Sequence, residues 1–129
     1  MNKPLEILKA LSDRNRLRVV AALMHIDELC ACQVVELLHV TGATASRHMG
    51  LLLHAGIVES RKDGRWVYYR LVDSIDPHLF QWLEYELKSV AGLEADRRLL
   101  ETIVACEPEE LCRRQRGEEC CPNSFNKGK

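Results

Sequence analysis

Residues 28 to 54 read Glu28-Leu29-Cys30-Ala31-Cys32-Gln33-Val34-Val35-Glu36-Leu37-Leu38-His39-Val40-Thr41-Gly42-Ala43-Thr44-Ala45-Ser46-Arg47-His48-Met49-Gly50-Leu51-Leu52-Leu53-His54. Val34, Val35, Leu37 and Leu38 supply the apolar side of a short helix, which Val40-Thr41-Gly42 interrupts. Thr41 is a good N-cap for a second helix from about Ala43 to His54, with Ala45, Met49, Leu52 and Leu53 as its buried face. A helix, a tight turn containing glycine and a second helix form the helix-turn-helix pattern.

Outward from this core, Leu5, Leu8 and Leu11 fall at helical spacing, and Ser12 can cap a further helix striped by Leu17, Val20, Ala21 and Met24. Two short helices therefore precede the quoted stretch. After Gly56, which can end a helix in the left-handed conformation, the pattern changes to alternation. Residues 57–62 and 65–71 are strand-like and flank Asp63-Gly64, a strong hairpin signal. The hairpin tip, with Arg61, Lys62 and Arg65, is a cationic wing. From Asp76 the pattern is helical again, with Pro77 in the first turn and Leu79, Leu83, Leu87 and Val90 on one face, flanked by Phe80 and Trp82. A last apolar run comprises Leu99, Leu100, Ile103 and Val104. The helix-turn-helix core is already supplied by the earlier helices, so these last two segments are assigned to a dimer interface. The expected fold is mainly α with a small β-hairpin wing, a homodimeric winged helix-turn-helix over residues 1–106. A Cys-containing tail without sustained periodicity follows over 107–129.

A chain of 129 residues is one domain's worth, and its 47% hydrophobic and 29% charged composition is that of a soluble globular protein. The net charge of -1 hides an asymmetry: Met1 to Val72 carries ten Lys and Arg against seven Asp and Glu, and Asp73 to Cys106 three against seven. A basic front half fits a nucleic-acid-facing part. No apolar run approaches the roughly 18 residues that span a bilayer, and the N-terminus has no signal-peptide core, so a cytoplasmic protein without a membrane partner is expected. In a reducing compartment the six cysteines point to metal or redox chemistry rather than a disulfide framework.

Cys30 and Cys32 form the start of a soft-ligand site. Residues two apart on a helix lie about 200° apart around its axis, so both thiols can face one ion only if Cys30 sits at or before the N-cap, where the backbone is extended. The helix dipole favours thiolates there, while Asp27 and Glu28 oppose them. Two thiolates are too few for a complete site. Cys112, Cys120 and Cys121 are candidate additional ligands, with Cys106 behind them because it ends an apolar helix. With the second helix of the pair in the major groove, Ala43, Thr44, Arg47 and His48 approach base edges and Ser46 a phosphate. Arg61, Lys62 and Arg65 reach the DNA backbone or minor groove.

Four ordered blocks carry a family resemblance: Leu11-Ser12-Asp13-Arg14-Asn15-Arg16-Leu17, Glu28-Leu29-Cys30-Ala31-Cys32, Ser46-Arg47-His48, and Arg61 through Leu71. Together they resemble the ArsR/SmtB family of winged-helix metalloregulatory repressors, in its arsenic-responsive branch. The resemblance implies a homodimer that sits on a palindromic operator and leaves it when a thiophilic ion binds. Within the family, the Glu-Leu-Cys-x-Cys pattern is similar to the site of arsenite and antimonite sensors and, with added ligands, of cadmium and lead sensors. The arsenite version often has a further Cys at the position of Val35. The family's zinc site is half matched by Asp76 and His78, but Ser89 and Gly92 stand where its partner ligands would lie. Gly42 replaces a frequent Gln, so operator preference does not transfer.

The inducer implied is As(III) or Sb(III), which take three thiolates. Cd(II) or Pb(II), with a four-thiolate site from Cys30, Cys32, Cys120 and Cys121, is the alternative. A redox or persulfide sensor of the same fold is another. A thiol-dependent reductase is disfavoured by the lack of a Cys-x-x-Cys motif beside a βαβ pattern, a phosphate-binding loop or a catalytic constellation; no enzyme activity and no catalytic cofactor are expected.

Overall fold

Every helix predicted ahead of the hairpin forms. In the computed structural model, which describes residues 2–90 and 92–105, α1 spans Asn2–Leu11, α2 Arg14–His25, α3 Ala31–Leu38 and α4 Gly42–His54. The caps explain the boundaries. Asp13, rather than Ser12, caps α2: its carboxylate accepts the Arg16 N–H at 3.1 Å, while the Ser12 hydroxyl turns back to the Lys9 carbonyl at the end of α1. His39 ends α3 in the left-handed conformation (φ 56°), and Thr41 caps α4 by accepting the Thr44 N–H. Gly56, at φ 76°, takes over at the far end of α4, where the Gly56 and Ile57 N–H groups close on the Leu53 and Leu52 carbonyls.

The wing is β2 (Val58–Asp63) and β3 (Trp66–Leu71), paired antiparallel. Its turn is displaced by one residue from the sequence expectation. Asp63 pairs with Trp66, so the two loop residues are Gly64 and Arg65, and only the first has positive φ (63°). That is the pattern of a turn with glycine at its first central position. A third strand, β1 (Leu29–Cys30), was not anticipated. It pairs with β3 and makes the sheet order β1-β3-β2. Two residues carry no periodicity from which a strand could be read.

Two more helices follow, α5 (Pro77–Leu87) and α6 (Gly92–Ala105). The Asp76 carboxylate caps α5, accepting from the N–H groups of His78 and Leu79. The core is built from Val19 and Val20 of α2, Leu29, Val34 and Leu37 around α3, Met49 and Leu52 of α4, and Ile57. Burying such a side chain is worth about 1.5–3 kcal/mol relative to leaving it in water. Leu100 and Ile103 of α6 and Leu83 of α5 join this same core. The last apolar run was assigned to a dimer interface; its two most buried residues instead close the protomer, with α6 packed on α2 and α3. Trp82 and Tyr85 on α5 and Leu5 and Leu8 on α1 stay exposed. Among the described residues no helix is long and apolar enough to cross a membrane.

Candidate metalloid and DNA interface

Cys30 is the N-cap of α3, with extended backbone (φ -84°, ψ 164°), and Cys32 lies in the first turn. The Cys30 N–H donates to the Gln33 side-chain oxygen at 2.8 Å, one arm of a capping box whose other arm brings the Gln33 N–H to the Cys30 side chain. This meets the backbone condition under which side chains two apart can share a face. Both side chains have no solvent exposure. The Cys32 sulfur is in a disulfide. Cys106, Cys112, Cys120 and Cys121 lie outside the described residues, within which no group of three or more His, Cys, Asp or Glu side chains could hold a metal ion. Val35 is buried at 5% exposure, packed in the core. In the half-matched zinc position, Asp76 is engaged as a helix cap and its pKa is lowered, first by the His78 N–H and then by that of Leu79.

On α4, Ala43, Ser46 and Arg47 face solvent and Thr44 is half-buried, its hydroxyl accepting a hydrogen bond from that of Thr41. His48 is placed differently from the expectation. It is 5% exposed, and its Nδ1 lies 3.0 Å from an Arg16 terminal nitrogen. Arg16 can only donate, so Nδ1 carries the lone pair and the ring is neutral with its proton on Nε2. Burial holds the His48 pKa below its ordinary value. Asp13, 4.0 Å away, pulls it up, and the charges of Arg16 and Arg47 push it further down. Burial would raise Asp13, but the Arg16 N–H, the Arg16 charge, His48 whenever its ring is protonated, and the Asn15 N–H outweigh it and set that carboxyl below its ordinary value. Arg16 also donates to the Ala10 carbonyl at 2.6 Å and the Lys9 carbonyl at 3.4 Å, so one guanidinium ties α1, α2 and α4 together. Sequence reading missed this role of His48, although its position in the register Ala45, His48, Met49, Leu52 is that of the buried stripe.

On the wing, Lys62 is exposed, and Arg65 at the turn lies over the Trp66 ring, 5.2 Å from its centre. Arg61 is engaged: it donates to both oxygens of Glu28, at 2.6 and 2.8 Å, and covers the Tyr68 ring at 4.6 Å. The Glu28 carboxyl is lowered chiefly by this hydrogen bond, and Arg61 is correspondingly raised. Glu28 is another residue whose part the sequence did not disclose.

The family described as "Bacterial regulatory protein, arsR family" matches residues 13–60, from the start of α2 into the wing. An arsenic resistance transcriptional regulator of Pseudomonas putida is 31% identical over 99 residues, covering 77% of this chain and 86% of that protein. The chain belongs to the ArsR family. Its relatives in this family also include a cadmium resistance transcriptional regulatory protein of Listeria innocua, 49% identical over 61 residues (47% of this chain, 51% of that protein). The arsenical resistance operon repressor of Escherichia coli is 38% identical over 79 residues (61% and 64%). The chain thus spans about half the length of the cadmium regulator it matches and just under two thirds of the Escherichia coli repressor. Among solved structures, the transcriptional repressor BigR of Xylella fastidiosa superposes with a TM-score of 0.55 at 28% identity, over 67% of this chain and 87% of that one. The antimony-specific repressor AntR gives 0.57 at 23% identity, over 73% and 82%, a likeness of fold.

Proposed function

We propose that the chain is a DNA-binding transcriptional repressor that leaves its operator when trivalent arsenic or antimony binds cysteine thiolates, with Cys30 and Cys32 as the central ligands. The observation that carries this reading is the position of Cys30. It is an N-cap with extended backbone, directly ahead of a helix packed on the DNA-reading element α4. The relatives named for arsenical resistance support the ion, and the cadmium regulator supports Cd(II) or Pb(II) with four thiolates as the alternative. Val35 leaves the local site one thiol short, so Cys112, Cys120 or Cys121 completes it, from the same protomer or its partner. Ala43, Thr44, Ser46 and Arg47 of α4 read or flank the major groove, Lys62 and Arg65 meet the backbone, and Arg61 joins them when it leaves Glu28. His48 acts from inside, holding the orientation of α4. The protein works as a cytoplasmic homodimer on a palindromic site, and exposed Leu5, Leu8, Trp82 and Tyr85 offer apolar surface for the partner protomer.

Ion and DNA affinities are reciprocal, and each tenfold of release requires about 1.4 kcal/mol of differential affinity. Cys30→Ser or Cys32→Ser should leave operator binding intact while abolishing release by arsenite in a gel-shift titration. Normal release by either variant places the site elsewhere. The disulfide at Cys32 favours one second reading, release by thiol oxidation. Under anaerobic conditions with reductant, a metalloid sensor still responds to arsenite and a redox sensor does not.

A further inference from the structure

The sheet carries a row of side chains that joins the cysteine pair to the wing. Cys30 of β1 stands opposite Tyr68 of β3, and Tyr68 stands opposite Arg61 of β2. Residues directly opposite on neighbouring strands share a face. The row therefore runs from a thiol with 0% exposure to a guanidinium whose side chain is 51% exposed. The chain then closes on itself: Glu28, two residues before Cys30, takes the Arg61 Nε and Nη2 donors on its two carboxylate oxygens. A bidentate fork of this kind is the geometry with which arginine also grips a phosphate.

We propose that Glu28 is a positioning residue that competes with operator phosphate for Arg61, and that an ion on Cys30 and Cys32 acts on the wing by keeping the Glu28–Arg61 pair closed. The second half of this statement rests on the metalloregulator reading; the first does not. Carboxylate and phosphate need the same two donors, so a wing with the pair closed presents one cation fewer to DNA. What holds Glu28 in place is the two-residue strand β1, paired as Leu29 with Tyr69 and Cys30 with Tyr68. An ion bridging Cys30 to Cys32 ties the end of that strand to the first turn of α3. The strand can then no longer shift to let Arg61 go. By reciprocity, Arg61 on a phosphate loosens the strand and weakens the ion site.

The test uses the full chain, reduced, on a duplex selected by the wild-type protein from a randomised pool, with affinity read by fluorescence anisotropy and bound arsenite by thiolate absorption. Glu28→Gln should tighten ion-free binding about threefold, the scale of an exposed ion pair. Arg61→Ala should weaken it and lower the salt slope by about 0.9 per wing. Adding Glu28→Gln to Arg61→Ala should then change nothing. With arsenite, Glu28→Gln should bind as many ions as wild type but show a smaller fold of release. No gain from Glu28→Gln, or an equal gain in the Arg61→Ala background, overturns the competition. A gain with undiminished release overturns the coupling to the ion. Wild type that takes up no arsenite overturns the arsenic reading and with it the coupling to that ion, while the competition is still decided by the ion-free affinities.

Discussion

Removing the Asp96 carboxylate should loosen α6 from the rest of the domain by an amount that the geometry sets. Arg18 on α2 donates to both oxygens of Asp96, at 2.8 and 3.0 Å, to the Asn15 side chain at 3.1 Å, and to the Leu37 carbonyl at the end of α3 at 2.9 Å. The Arg18 and Asp96 side chains are 23% and 17% exposed, between the surface pairs worth about 0–1 kcal/mol and the buried ones whose breakage costs about 3–5 kcal/mol. Arg18 keeps two of its partners in Asp96→Ala, and water reaches the gap, so we put the loss at about 2 kcal/mol and that of Asp96→Asn at about 1 kcal/mol. For a domain of this size about 2 kcal/mol corresponds to a fall in Tm of roughly 7–9 °C. Urea denaturation should show the midpoint falling with little change in slope, since the packed area is retained. A double-mutant cycle with Arg18→Met isolates the pair. A cost below about 0.5 kcal/mol for Asp96→Ala, or a coupling energy indistinguishable from zero, would refute the idea that this contact fastens α6.

Acid should weaken the fold through His48. Its folded pKa lies below the ordinary 6.5, so as the pH falls through 6.5 the unfolded chain takes up a proton that the folded ring refuses, and stability drops until the folded value is reached. One such group gives a slope of at most about 1.4 kcal/mol per pH unit. Urea midpoints measured from pH 7.5 down to 5.5 should fall less steeply in His48→Gln, and parallel curves would remove His48 as the cause. Two glycines should respond in opposite directions to alanine. Gly50 sits within α4 with open space where a Cβ would stand, so Gly50→Ala should gain about 0.5–1 kcal/mol, whereas Gly64→Ala, equally uncrowded but at φ 63°, should lose about 1 kcal/mol. Thermal melts of the pair decide it; a shared sign would contradict the turn geometry.

The helix-turn-helix was legible because its helices carry apolar stripes and Thr41 a capping hydroxyl, although the chain turns at His39 and Gly42 is the first residue of α4; the wing was legible from alternation around a glycine turn. What the sequence withheld is long-range. The Arg16–His48 contact joins residues 32 apart and the Arg61–Glu28 pair residues 33 apart, and no local period encodes either. Leu100 and Ile103 announced a buried face, yet a stripe looks the same whether it meets its own core or a second protomer. The displaced turn shows the same limit at short range. Asp63-Gly64 marks the hairpin, but the pairing of Asp63 with Trp66 decides which two residues lie outside the ladder. For the site, the N-cap was the condition for two thiols to share a face, and Cys30 stands there, while its link to the wing depended on a strand too short to read.

Helix α2 emerges as the frame against which the sensing and reading elements are held. Arg16 and Arg18 lie two residues apart, hence about 200° around the helix axis, and reach opposite neighbours. Arg16 fixes α1 and, through His48, the reading helix α4. Arg18 fixes α6 and the last turn of α3. Helix α3 is consequently gripped at both ends, at its C-terminal end by Arg18 and at its start by the pairing of β1 with the wing. A force applied at Cys30 and Cys32 acts on the end paired with the wing rather than on the end where Arg18 reaches the Leu37 carbonyl. An ion there holds β1 against the wing, so its effect reaches Arg61 before it reaches α4.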